Sequence, residues 1–412
     1  MDQLKTIIFI GTNKSGSSRD AIQAAERMGY FTVVFTNNEK RLQQRVEYTD
    51  VHEMILIDTN NISEMRREVN LLKVRGKEIK TIVSFIDSNV HLASILCDEF
   101  CDTYTSSKAI GIMENKEETR VFLKDQPYTP KFFAIKPGET LSFETITQLD
   151  FPVMVKSSKS TGSKDVLLAE DKTQVEKYTL KLQEKNPDEA IIIEEYIEGD
   201  QYLVEALVYN KQIQIAGVIK QEITQGKRFI ITGYAVLVDV PSDIKAGVES
   251  VLQSVISQLE IKNGALHLEL RLSKNGWKLI EINPRISGGA MNKMIQASFG
   301  FNLVEETLKL YLGDSPSIEP SCMRYVFTQY LIVSKKGVLV KVTGKGEARK
   351  SPGVVEVYVK PRRGTILIPP LSMGHRYAYV IATGTSMEEA KMFAQNAAKE
   401  ITFHLTEDTK VL

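Results

Sequence analysis

The chain has 412 residues, and its 52 lysines and arginines balance 52 aspartates and glutamates. It therefore lacks the basic surface with which proteins neutralise nucleic-acid phosphates, and no apolar run approaches the ~18 residues that span a bilayer, so neither nucleic acid nor membrane is an expected partner. Cys97, Cys101 and Cys322 lack zinc spacing and read as free thiols of a cytoplasmic protein, while the five scattered histidines offer no zinc cluster. The length predicts two to four domains with sizeable cores.

Residues 1–104 alternate apolar strands (6–10, 32–35, 54–57, 81–85) with helical patterns (19–28, 62–74, 91–100), which predicts a doubly wound parallel sheet. The turn at 11–18 almost fits a phosphate-cradling loop but has Ser17 where the lysine belongs. It reads as a βα turn facing a cleft. At the carboxyl end of the fourth strand stand Ser84, Phe85 and Asp87. Ligands of open α/β sheets bind there, and free N–H groups at the following helix start suit an amino-acid carboxylate. A plain helix cap by Asp87 or Ser88 is the alternative.

Residues 105–130 contain helical segments with Lys116 and Arg120 four apart, ended by Pro127 and Pro130. A strand at 151–156 delivers Lys156 to a small, polar loop, 157–163, that includes Ser160 and Gly162. Such a loop offers N–H and hydroxyl donors that could cover a triphosphate, or it is a simple hairpin turn. After a helix at 172–185, the buried strand at 190–194 runs into Glu194, Glu195 and Ile197. A hairpin around Asn210 and Lys211, a strand at 228–238 and a proline-started helix at 241–260 follow.

Residues 265–283 form the most informative hairpin. Leu266, Leu268, Leu270 and Leu272 alternate with His267, Glu269 and Arg271, and Glu281 and Asn283 alternate with Ile280 and Ile282. A two-residue turn at Asn275 and Gly276 would put a carboxylate on each core face. A three-residue loop over 274–276, with Gly276 left-handed and bulged, instead pairs Leu270 with Ile280 and Leu268 with Ile282. Glu269 then faces Glu281, with Asn283 two residues on. Like charges across a ladder repel unless a cation lies between them, and Mg²⁺ is the natural one. Neutralisation of an exposed face by Arg271 or Lys278 is the alternative. Beyond the hairpin, Ser287, Gly288, Gly289 and Ala290 open a helix with accessible N–H groups, and Met291 adds apolar surface if it is not core. Strands at 338–342, 354–359, 366–368 and 377–382, and a helix begun by Ser386 and Glu389, make a C-terminal α+β unit without an evident catalytic cluster.

The spacing of Glu269, Glu281, Asn283 and Arg285, followed by Ser287, Gly288 and Gly289, resembles the metal-binding end of the ATP-grasp carboxylate–amine ligases. The chain as a whole resembles the bacterial L-amino-acid ligases among them. The resemblance implies that Glu269, Glu281 and Asn283 hold Mg²⁺, that Arg285 stabilises the transferring phosphoryl group, and that Lys116 and Lys156 reach the phosphates of ATP. It makes the loop with Ser160 and Gly162 a lid. It also sets adenine against the Glu194 side chain and the backbone of Glu195 and Ile197. The family's acidic ribose ligand is replaced by Gln201, with Asp200 adjacent, so the ribose contact stays open. Ser84, Phe85, Asp87, Gly288, Gly289 and Met291 are the expected substrate pocket. The implied domains are a Rossmann-like unit (1–104), linker helices (105–130), a small ATP-grasp lid domain (131–197), a large ATP-grasp domain (198–315) and a C-terminal α+β domain (316–412). The implied activity is ATP-dependent joining of two L-amino acids with release of ADP. A biotin-carboxylase-like or purine-pathway ligase, or a nucleotide-binding regulator, is the alternative. A homodimer is left open.

Overall fold

The structure is a computed structural model that describes residues 3–406 except 103, 143, 145–146, 149, 160–164 and 225–229. Ser160 and Gly162 of the expected lid lie outside the described residues. Strands β1 (Leu4–Ile10), β2 (Phe31–Thr36), β3 (Glu53–Leu56) and β4 (Lys77–Val83) form a parallel sheet in the order β3-β2-β1-β4. Helices α1 (Ser17–Arg27), α2 (Glu39–Gln43), α3 (Ile62–Val74) and α4 (Val90–Phe100) connect and flank it. Ile8, Ile10, Val33 and Phe35 pack against Met65, Val69 and Leu72 of α3, as the strand and helix periods require.

Helices α5 (Ser107–Glu114) and α6 (Lys116–Phe122) meet at Asn115, whose extended backbone ends one and whose side chain caps the first N–H groups of the other. That cap fixes Lys116 at the first position of α6. Next comes an antiparallel sheet of β5 (Phe132–Ile135), β6 (Val153–Ser157), β7 (Val166–Ala169) and β8 (Ile191–Glu195), in the order β5-β8-β6-β7, covered by α7 (Lys172–Lys185).

The remaining strands are β9 (Asp200–Tyr209), β10 (Gln212–Thr224), β11 (Ile230–Val236), β12 (Gly264–Ser273), β13 (Gly276–Asn283), β14 (Tyr325–Leu331), β15 (Gly337–Thr343), β16 (Val354–Val359), β17 (Ile366–Leu367), β18 (Ala378–Gly384) and β19 (Thr402–Thr406). Eight of them make one sheet, β13-β12-β9-β10-β11-β14-β18-β16, and three a smaller one, β17-β15-β19. Helices α8 (Ser242–Gln258), α9 (Met291–Phe299), α10 (Leu303–Tyr311), α11 (Lys345–Lys350) and α12 (Met387–Glu400) complete the described elements. The large sheet runs straight across the expected boundary at 315/316, because β11 pairs with β14. Its leucine face packs on α8 through Leu266, Leu268 and Leu270, and its other face receives α9, α10 and part of the first sheet's core. Among the described residues no helix is long and apolar enough to cross a membrane.

The hairpin places Glu269 opposite Glu281 and Leu268 opposite Ile282. Its bulge is not at Gly276, however. Gly276 has φ +92° and pairs with Ser273, and the extra residue lies at Ile280, so Leu270 faces Leu279. The core face stays aliphatic through Leu279 and Ile282, both buried.

Candidate active site

Alternation carries one face of the large sheet into a cleft. Glu281 and Asn283 come from β13, His267, Glu269 and Arg271 from β12, and Gln201 and Glu205 from β9. The facing carboxylates are each offset by a group from elsewhere. Lys116 Nζ, at the start of α6, lies 3.3 Å from Glu281 Oε1. Gln201 Nε2 donates to Glu269 Oε2 at 2.9 Å, and its Oε1 accepts from Arg271 Nε at 2.9 Å. Arg271 also donates to the Ile197 carbonyl, and Lys278 to the Pro127 carbonyl, so neither neutralises the pair. Burial alone would raise the Glu281 carboxyl, but Lys116 and Lys156 outweigh it and hold it below the usual range.

Beneath Glu269, the His267 ring Nδ1 is 2.7 Å from Glu205 Oε1, and Glu205 Oε2 accepts the Ser287 N–H at 3.1 Å. Burial would lower His267, yet Glu205 and Glu269 push it up to about 10. The site can hold a divalent ion by its chemistry. Glu269, Glu281 and the Asn283 amide form an all-oxygen set, and no third acid, histidine or cysteine completes a metal cluster among the described residues. That matches Mg²⁺, which is bound through one or two carboxylates with the remaining positions on phosphate and water.

A second cluster lies where α6, β6 and β8 meet. Glu194 Oε2 accepts from Arg120 Nε at 3.0 Å, and its Oε1 accepts from Lys156 Nζ. All three are buried. Burial would raise Glu194, but the two cations hold it low, while burial lowers Lys156 to about 8 against the pull of Glu194. Arg120 reaches on to the Ile280 carbonyl at 2.8 Å, which is the residue bulged out of β13. The Glu194 side chain is thus engaged internally. Glu195 exchanges hydrogen bonds with Lys131, its N–H with the carbonyl and its carboxylate with the N–H.

The third wall joins the first sheet to the hairpin. Arg285 donates to Asp87 Oδ1, bringing the expected catalytic residue onto the expected substrate residue. Ser17 donates to the Ser287 carbonyl and accepts from Asn292 Nδ2 at 2.7 Å, so the turn at 11–18 is fastened to the segment that follows Arg285. Gly288 and Gly289 are exposed, and nothing lies within 4 Å of where a Gly288 Cβ would be. Ser84 is turned inward, its hydroxyl donating to the Ile10 carbonyl at 2.7 Å, and Phe85 and Met291 are core residues. The role of Gln201 in steadying Glu269, and the Glu205–His267 pair under it, went unread in the sequence. A lone glutamate in the apolar strand at 202–209 was the available signal.

Residues 149–293 match the family model for the ATP-grasp domain, and residues 329–406 match that for the L-amino acid ligase C-terminal domain 2. With the site described above, these matches give the chain an ATP-grasp domain of the carboxylate–amine ligase class. Within that class it has the fold of the crystal structure of the L-amino acid ligase from Bacillus licheniformis, at TM-score 0.82 and 18% identity over 99% of this chain and 100% of that one. It is 20% identical over 412 residues to an uncharacterised protein of Sinorhizobium fredii, covering 98% of this chain and 84% of that protein. It is also 23% identical over 332 residues to carnosine synthase 1 of Gallus gallus, covering 76% of this chain but only 35% of that protein.

Proposed function

We propose that the chain joins two free L-amino acids, at least one apolar, through an acyl-phosphate, consuming ATP and acting in the cytoplasm. One observation carries the reading: the facing Glu269–Glu281 pair, with Lys116 on Glu281, lies four residues before Arg285, which pairs with Asp87. A carboxylate oxygen of the first amino acid attacks the γ-phosphorus, and the bond to the bridging oxygen breaks to release ADP. The amine of the second then attacks the acyl carbon, its C–N bond forms as the C–O bond to phosphate breaks, and the proton leaves the nitrogen to solvent.

Lys116 and Lys156 offset phosphate charge, and Arg285 exchanges Asp87 for the transferring group, where a preoriented cation stabilises developing charge. The N–H groups following Gly288 receive the substrate carboxylate. Mg²⁺ held by Glu269, Glu281 and Asn283 would neutralise the phosphate oxygens.

Incubating the pure protein with ATP, Mg²⁺ and pairs of L-amino acids, and reading phosphate, nucleotide and product, tests the proposal. ADP, phosphate and a dipeptide in equal amounts are expected. AMP would reject the acyl-phosphate route, and bicarbonate-dependent ADP release without dipeptide would favour a carboxylase.

A further inference from the structure

The C-terminal half of the large sheet carries a row of tyrosines on the same face as Glu269. Strand pairing carries the face of Glu269 through Leu203, Ile219 and Val236, and two residues away along the strands through Gln221 and Tyr234. Tyr234 meets Tyr330 edge-on with ring centroids 5.5 Å apart, and Tyr330 faces Tyr379 in register across β14 and β18. The Tyr330 hydroxyl reaches the glycines that follow Arg285, standing 3.8 Å from where a Gly289 Cβ would be.

Onto this surface the segment before β18 lays Arg376. Its guanidinium sits 3.9 Å from the Tyr330 ring centroid and 5.4 Å from that of Tyr234. Nη1 donates to the Tyr234 hydroxyl at 3.1 Å and weakly to the Ile231 carbonyl at 3.4 Å, and Nε donates to the Met373 carbonyl at 3.3 Å. Among the described residues no carboxylate pairs with it, although the charge of Glu269 reaches it. A second observation concerns the row beneath. Gln221 Oε1 and Thr328 Oγ1, the direct neighbours of Tyr234 on either side, are buried with no hydrogen-bond partner among the described residues. Buried polar atoms in native proteins are nearly always paired, and a guanidinium in an aromatic setting pairs best with a carboxylate.

From this geometry, and resting on the ligation reading above, we propose that Arg376 recognises the α-carboxylate of the amine-donating amino acid, with Gln221 Oε1 left to accept from its amino group. The acyl-donating carboxylate belongs at the N–H groups following Gly288, so a second carboxylate needs a partner of its own, and Arg376 lies on the Tyr330 ring whose hydroxyl reaches those glycines.

Two measurements test this. In the first, saturation-transfer NMR follows a set of free L-amino acids and their carboxamides with the protein, ADP and Mg²⁺. The wild type is expected to bind at least one free amino acid over its carboxamide, and Arg376→Gln to weaken that binding roughly 10- to 100-fold, as for loss of a charged hydrogen-bond partner. In the second, the ratio of kcat/KM for free and carboxamide donors falls toward one in Arg376→Gln, with KM for ATP unchanged. Arg376→Lys, which keeps the charge, retains part of the preference. A residue that merely staples the C-terminal segment would change the melting temperature and leave the ratio alone. An unchanged ratio, or free amino acids bound equally by the variant, overturns the assignment even if dipeptide is made. If dipeptide is not made and the wild type still prefers free amino acids through Arg376, the assignment stands and the ligation reading fails.

Discussion

Glu281 and Arg285 are four residues apart and make opposite demands on their surroundings. Glu281 already has Lys116 at 3.3 Å, so Glu281→Gln removes an ion pair as well as the repulsion of Glu269. The two changes oppose each other, and the variant is expected to melt near the wild type while losing nearly all turnover. The stabilisation that ADP with Mg²⁺ gives the wild type, measured as a shift in Tm, is expected to shrink in the variant. Full activity, or a chain that does not fold, would reject the role. Arg285→Ala removes the cation now held by Asp87, and kcat is expected to fall by on the order of 10²–10³-fold with ADP affinity little altered. A matching collapse of ADP binding would make Arg285 a ground-state ligand. Close by, Glu114 accepts the His91 N–H at 3.0 Å, and burial, helped by Asp87 and opposed by Arg285, pushes its carboxyl up to about 7. Above its ordinary 4.5 the unfolded chain has released this proton while the folded chain keeps it, so stability declines as pH rises from 4.5 through about 7. Glu114→Gln is expected to flatten that part of the curve of Tm against pH, and an unchanged slope would assign it to another group.

At the scale of elements, the Arg120–Glu194–Lys156 cluster ties α6, β8 and β6 together and reaches the β13 bulge. Replacing Glu194 by alanine leaves two buried cations without their shared anion, and unfolding in urea should reveal a loss of about 3–5 kcal/mol. A loss below about 1 kcal/mol would mean that water reaches the cluster. This cluster also explains what could be read from the residues alone. The facing of Glu269 and Glu281 was legible because strict alternation with leucine leaves one register that keeps charge off the core. The bulge was misplaced to Gly276, whose positive φ suits one, because its true position at Ile280 answers a carbonyl demand from Arg120, some 160 residues away in sequence. That Gln201 bridges Glu269 and Arg271 was not legible, because the contact is set by the pairing of β9 with β12. Strand β14 went unread despite its aromatic and β-branched residues, since its neighbours, β11 and β18, are distant in the chain. The turn of Asn210 and Lys211, both left-handed at φ 50° and 67°, joined β9 to β10 as local chemistry suggests.

At the scale of the whole molecule, the eight-stranded sheet makes the C-terminal region part of the cleft's frame. β14 supplies the hydrogen-bonding partner of β11, and α12 buries Ala390 and Ala394 against Phe327 of β14 and Ala235 of β11. The tyrosine row on the opposite face joins the core formed by α9, α10 and the first sheet. A chain ending at residue 315 would therefore expose the whole edge of β11 together with apolar side chains on both faces, a combination that templates strand pairing between molecules. Residues 1–315 contain every position expected to bind nucleotide or metal, so independent domains would leave this fragment monomeric and able to bind ADP with Mg²⁺. A continuous sheet predicts the reverse: the fragment is insoluble or elutes as a large aggregate, and supplying 316–412 as a separate chain during refolding restores soluble protein that binds ADP. Size-exclusion chromatography and ADP titration of the fragment, alone and with its complement, decide between them. A monomeric fragment that binds ADP as the full chain does would mean that the β11–β14 pairing contributes little to the stability of the cleft.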